Sequence, residues 1–141
     1  MAVGLQRLVR RALLTRLKAD AGLIALVPKA SINPDGTPAW PFIKLHAPVT
    51  QRLRSSCVNG GLVSWDIHAF ARKRTGASPM TAEDHASLIG AEIERVLADN
   101  WLDLEGGGRA RVRLSDIRLL EDGTPDAFHW FAQVNARVLA E

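Results

Sequence analysis

Residues 62–72 alternate in polarity with a period of two. Val63, Trp65, Ile67, Ala69 and Ala71 interleave with Ser64, Asp66, His68, Phe70 and Arg72. Successive side chains of a strand point to opposite faces, so this segment carries one apolar face and one mixed face. A strand of that kind belongs in an antiparallel sheet with a single covered face. Residues 41–47 read as a shorter strand before it. Ala110, Val112 and Leu114, alternating with Arg109, Arg111 and Arg113, read as a third. Ile117 and Leu119 continue that apolar set one residue out of phase, which predicts a β-bulge near Ser115 and Asp116. Trp130, Ala132, Val134, Ala136 and Val138 mark a fourth strand.

Two helical stripes are available to cover the apolar face. Leu5, Leu8, Val9, Ala12, Leu13 and Leu17 predict an amphipathic helix over residues 4–19, and Asp20 caps a further turn that runs to Leu26 before Pro28 ends it. Ala82, Ala86, Ile89, Ile93, Val96 and Leu97 predict a second helix to about Asp99. Ser78 is its expected N-cap, with Pro79 at the first helical position and Thr81 with Asp84 as the weaker alternative. Residues 29–39 read as a loop, 51–61 as a long polar connection, 73–77 as a basic turn, 102–108 as a glycine-rich connection and 122–125 as a turn. At 141 residues the chain is one domain's worth of protein, residues 1–141. The expectation is an α+β fold with a four-stranded, largely antiparallel sheet and two helices on one face, in the order helix, strand, strand, helix, strand, strand.

Candidate chemistry is sparse. Ser64, Asp66 and His68 have the residue types of a nucleophile, an acid and a base, but neighbours two apart on a strand stand about 6.5–7 Å from each other, beyond hydrogen bonding. Cys57 is the single cysteine and leaves no disulfide framework; His46, His68, His85 and His129 lack metal-ligand spacing, so no metal or cofactor is expected. Gly106, Gly107 and Gly108 lead into a strand rather than opening a helix, which does not make a phosphate cradle. No apolar run approaches the roughly 18 residues of a membrane span. Arg7, Arg10, Arg11, Arg16 and Lys18 precede the first acid, as in a transit peptide, but their apolar stripe flows into further structure and belongs to the fold.

Charge and aromatic placement say more. Residues 1–74 hold 12 Lys/Arg against three Asp/Glu, and residues 75–141 hold six against 12. Such asymmetry fits a nucleic-acid face or two complementary surfaces on one protomer. Phe70 and Phe131 fall opposite the apolar stripes of their strands, and a second subunit is the simplest cover for apolar groups so placed.

Three stretches together resemble a known family. They are the opening helix and its continuation over residues 5–23, the strand Trp65-Asp-Ile-His-Ala-Phe-Ala-Arg with the polar turn and Ala-rich helix that follow, and the closing strand Phe128-His-Trp-Phe-Ala-Gln-Val-Asn-Ala-Arg-Val. The resemblance is to the small tail-completion or tail-terminator proteins of long-tailed bacteriophages and gene transfer agents. It implies a structural virion protein at the tail–neck junction, assembled in the bacterial cytoplasm. Subunits of this family form a ring, commonly a hexamer, that caps the tail tube, stops its polymerisation and offers a docking surface to the head–neck complex. DNA passes through the lumen unread, and no cofactor, membrane or reaction is involved.

A head-to-tail ring needs two different, complementary patches per protomer. The expected basic contacts are Arg52 and Arg54 in the 51–61 connection with Arg72, Lys73 and Arg74 beside the basic turn; the expected acidic partners are Glu83, Asp84, Glu92 and Glu94 on the second helix. The rivals are another neck or head-closure ring protein, a basic nucleic-acid-binding domain, and a small hydrolase using Cys57 or His68. The Cys57→Ala chain is expected to retain full biological activity in a particle-assembly assay, and its loss would revive the hydrolase.

Overall fold

The computed structural model describes residues 4–53 and 59–140. Helix α1 (Leu5–Ala19) is followed by a single turn, α2 (Ala21–Ile24), and a 3-10 turn at Lys29–Ser31. Strands β1 (Phe42–Leu53) and β2 (Asn59–Arg72) come next, then α3 (Ala82–Leu97), and last β3 (Trp101–Asp103), β4 (Arg109–Thr124) and β5 (Ala127–Ala140). The sheet is antiparallel with spatial order β1-β2-β5-β4-β3.

The α+β, antiparallel expectation holds, but the sheet has five strands rather than four. Trp101, Leu102 and Asp103 pair with Arg111, Ala110 and Arg109, so the supposed glycine-rich connection is itself a hairpin. Gly106, Gly107 and Gly108 turn it with φ of 83°, 99° and 89°, angles that side-chain-bearing residues rarely adopt. The supposed polar connection over 51–61 is in large part strand: Gln51↔Leu62, Arg52↔Gly61 and Leu53↔Gly60 continue the ladder, and Arg54 and Cys57 lie outside the described residues. Cross-strand hydrogen bonds form regardless of side-chain polarity, which is why a polar run concealed them.

The predicted bulge is present. The β4–β5 register shifts between Ser115 and Arg118, and Asp116 takes φ 52°. Leu119 thereby reaches the helix side opposite Trp130, whereas Ile117, held in the bulge, stays 46% exposed and does not join the apolar set.

Leu5, Val9, Leu13 and Leu17 of α1 and Ala86, Ile89, Ile93, Val96 and Leu97 of α3 share one core with Val63, Trp65, Ile67, Ala110, Val112, Val134 and Val138 of the sheet. Alanines at 69, 71, 132 and 136 keep this inner face shallow, so α3 lies close. At the closest point a Cβ on Gly90 would stand 2.4 Å from Cγ, Cδ1 and Nε1 of Trp130.

The cap of α3 is Thr81, whose Oγ1 accepts from Asp84 N at 3.2 Å; Ser78 and Pro79 precede the helix. Arg74 and Met80 exchange backbone hydrogen bonds of 2.8 and 3.0 Å, which commits residues 74–80 to a tight turn before helix can start. Asp20 caps α2 by accepting from Leu23 N and also pairs with Arg95 of α3, which in turn holds Glu92 at 2.6 Å. Gly90→Ala is expected to lower stability by about 1–3 kcal/mol through overpacking against Trp130, despite the better helix propensity of alanine. Urea denaturation checks it.

Candidate functional site

Because α1 and α3 cover one face of the sheet, the mixed residues of each strand form a second, open face. Its rows follow the ladder. Phe42, Phe70 and His129 make one row; Lys44, His68, Phe131 and Arg118 the next; then His46, Asp66, Gln133 and Ser115. Further along come Val49, Ser64, Asn135 and Arg113, then Gln51, Leu62, Arg137, Arg111 and Trp101.

One half of this face is aromatic and histidine-rich. Phe42 stacks on Phe70 at 4.7 Å, Trp40 packs edge-on to both, and the Arg72 guanidinium lies 4.3 Å from the Trp40 ring centroid. His68 lies 5.0–5.8 Å from His46, Phe70, His129 and Phe131. Burial holds the His68 pKa below the ordinary histidine value, and repulsion from His129 and His46 adds to this against the opposing pull of Asp66. His85, by contrast, is a buried structural histidine whose Nδ1 donates to the Arg72 carbonyl at 2.9 Å, tying the start of α3 to the end of β2.

The middle of the face is a hydrogen-bonded relay across three strands. Ser64 Oγ donates to Asn135 Oδ1 at 2.9 Å, and Asn135 Nδ2 donates to Ser115 Oγ at 3.0 Å. The Ser64 proton is therefore spent on Asn135, and Ser64, Asp66 and His68 form no catalytic relay. The other half of the face is basic. Arg111 and Arg137 stand directly opposite one another, with Arg113 one row away. A shallow cleft of about 270 Å³ is lined by these three arginines with Leu62 and Asn135. A larger cleft of about 500 Å³ opens between α1 and the β3–β4 hairpin, where Arg11 pairs with Glu105 at 3.0 Å; its lining holds no nucleophile beside a base. Among the described residues no group of three His, Cys, Asp or Glu is placed to hold a metal, and no helix is long and apolar enough to cross a membrane.

The expected contact residues are scattered. Arg52 lies opposite Gly61 and Arg72 ends the same strand, about 36 Å away at a strand rise of about 3.3 Å per residue. Arg54 lies outside the described residues. Arg72, Lys73 and Arg74 adjoin the start of α3, so Glu83 and Asp84 in its first turn lie beside them in the same protomer. Those two acids also favour the helix N-terminus electrostatically. Glu92 is taken by Arg95, and Glu94 is half-buried further along α3. The sequence reading did not single out Arg137; it belongs to the arginine group only through the β4–β5 register, though the alternation of the last strand already placed it opposite the apolar stripe.

The chain matches a known group. A family model described as tail completion protein gp17 matches residues 11–139. The chain belongs to the tail completion protein gp17 family. This is a family of structural proteins rather than enzymes, and the chain is a structural tail-completion protein. A chain of a solved structure described as the virion of a native gene transfer agent particle has the same fold, with a TM-score of 0.78 at 20% sequence identity, covering 99% of this chain and 100% of that one. A search of curated proteins found no match.

The lowered His68 pKa has a testable consequence for this tail-completion protein. The unfolded chain, with histidine near about 6.5, takes up the proton first, so stability is full above that pH and is lost as pH falls toward the folded-state value. The melting temperature is expected to fall between about pH 7.5 and about pH 5.5. His68→Phe, which suits Phe70 and Phe131, is expected to flatten that fall in a pH series of thermal melts.

Proposed function

We propose that this tail-completion protein is the subunit of a terminator ring, a hexamer in the form its family resemblance implies. The ring caps the finished tail tube, stops its polymerisation and joins it to the head–neck complex. The reading rests on one observation above the rest: helices close one face of the sheet, while the other carries aromatic, histidine and arginine groups that no helix among the described residues covers. A face of that kind serves contact with other proteins. The partners are copies of itself, the tail tube protein and a head–neck connector, with DNA passing through the lumen unread. The place of action is the tail–neck junction, after assembly in the bacterial cytoplasm.

Within this reading, Arg72 and Lys73 at one end of β2 and Arg52 at the other contact neighbours at different ends of the protomer. Glu83 and Asp84 in the exposed first turn of α3, and the half-buried Glu94 further along it, serve the same use. Each such charge contributes little alone and acts mainly on register and assembly rate.

Deletion of the gene followed by electron microscopy tests the assignment. Overlong or unjoined tails are expected. Normal joined tails with empty, leaking heads would move the chain to a head-closure position in the neck.

A further inference from the structure

Folding sets up a charge asymmetry that the imbalance between the two halves of the chain does not contain: it lies between the two ends of the β4–β5 ladder. At one end are Arg109, Arg111, Arg113 and Arg137, with Arg52 nearby on β1. Helix α1 crosses this same end. Leu5 approaches Gly61, and Arg16 donates to the Trp101 carbonyl at 2.8 Å. Among the described residues, Asp103 pairs there with Arg109 at 3.7 Å and Glu105 with Arg11. At the other end the β4–β5 hairpin turns through the exposed acids Glu121, Asp122 and Asp126, with Glu83 and Asp84 of α3 nearby. Five carboxylates there outnumber Arg72, Lys73 and Arg74.

The arginine end is incomplete by itself. Arg111 and Arg137 are directly opposed across the ladder, a like-charge arrangement that destabilises an isolated sheet. Among the described residues no carboxylate pairs with Arg111, Arg113 or Arg137, and Arg111 Nε is shielded from water without a hydrogen-bond partner. A guanidinium so placed needs an anion. We propose that the cleft formed by Arg111, Arg113 and Arg137 receives the acidic β4–β5 hairpin tip of a second copy of this chain, so that Glu121, Asp122 and Asp126 of one protomer meet the arginines of the next.

Three carboxylates face three guanidiniums in this contact. Donor and acceptor patches lie at opposite ends of one ladder, as a heterologous, head-to-tail interface requires. The surroundings favour a protein occupant over nucleic acid. Leu62 forms part of the cleft, and Leu139 beside it is 51% exposed. The Trp101 ring, the aromatic group beside the cleft able to stack on a base, is already flanked by Arg109 and Arg111 at 4.8 and 5.7 Å from its centroid.

The proposal rests on the ring reading, and charge exchange in a strain deleted for the gene separates the two. Arg113→Glu with Arg137→Glu is expected to reduce joined, normal-length tails at least about tenfold, and Glu121→Lys with Asp126→Lys to do the same. All four substitutions in one chain, or coexpression of the two double variants, should restore them to within about threefold of the natural chain. Thermal melts establish that each variant folds, and Arg113→Gln with Arg137→Gln stands in if the glutamates do not. Unchanged tails with either double variant, or no recovery in the fourfold exchange when all variants fold, overturns the contact and leaves the ring standing. Tails unaffected by gene deletion overturn both. If the hairpin-tip variant assembles normally while the arginine variant loses salt-sensitive binding to a duplex oligonucleotide, the cleft takes nucleic acid and the proposal fails.

Discussion

The close seating of α3 on the sheet is the contact on which the remaining architecture depends. Alanines at 69, 71, 132 and 136 hold back the inner face of β2 and β5, and Gly90 meets the Trp130 ring where any Cβ would collide. The helix is therefore fixed in position along both central strands. A one-residue slip of either strand would carry its apolar set to the wrong side, so the same packing also fixes register. Once register is fixed, the composition of the opposite face follows without further choice: every second residue of β1, β2, β5 and β4 is placed on it.

That opposite face is assembled from charges and rings that do little for the isolated protomer. One set of internal ion pairs knits the helical layer: Arg95 joins Asp20 of the α2 cap to Glu92 of its own helix, and this pairing holds the Asp20 carboxyl below its usual pKa. The arginines of β4 and β5 are treated differently. Arg111, Arg113 and Arg137 are aligned on one side and pair with no acid among the described residues, on a ladder whose far end carries an excess of acid. Arginines left without an acid of their own chain suit an assembly subunit, because a surface already neutralised has nothing left to direct a neighbour.

Much of the fold was legible because period and phase are local properties. The alternation of residues 62–72 and 130–138, the two helical stripes and the phase slip after Leu114 each correspond to an element or a bulge in the structure. The errors arose where backbone pairing, not side-chain pattern, decides. Residues 101–103 and the polar ends of β1 and β2 became strands because a partner ladder was within reach. Thr81 replaced Ser78 as the helix cap because Met80 was already engaged with Arg74. Spatial neighbours among the candidate contacts are set in the same way. Arg72 and Glu83, expected as partners between subunits, lie at one end of the protomer, and Arg137 joins the arginine group through its pairing with Arg111.

By itself the sequence determined which residues face inward, since hydrophobic burial acts on each strand and helix through its own periodicity. It also determined the absence of any nucleophile–base spacing in the alternating strand. Only the tertiary structure decided which surface charges become neighbours, because strand order brings β5 between β2 and β4 and so joins residues far apart in the chain. Electrostatic energy depends on distance in space, and for that reason the imbalance between the two ends of the sheet, drawn mainly from residues 75–141, was not contained in the imbalance between the two halves of the chain.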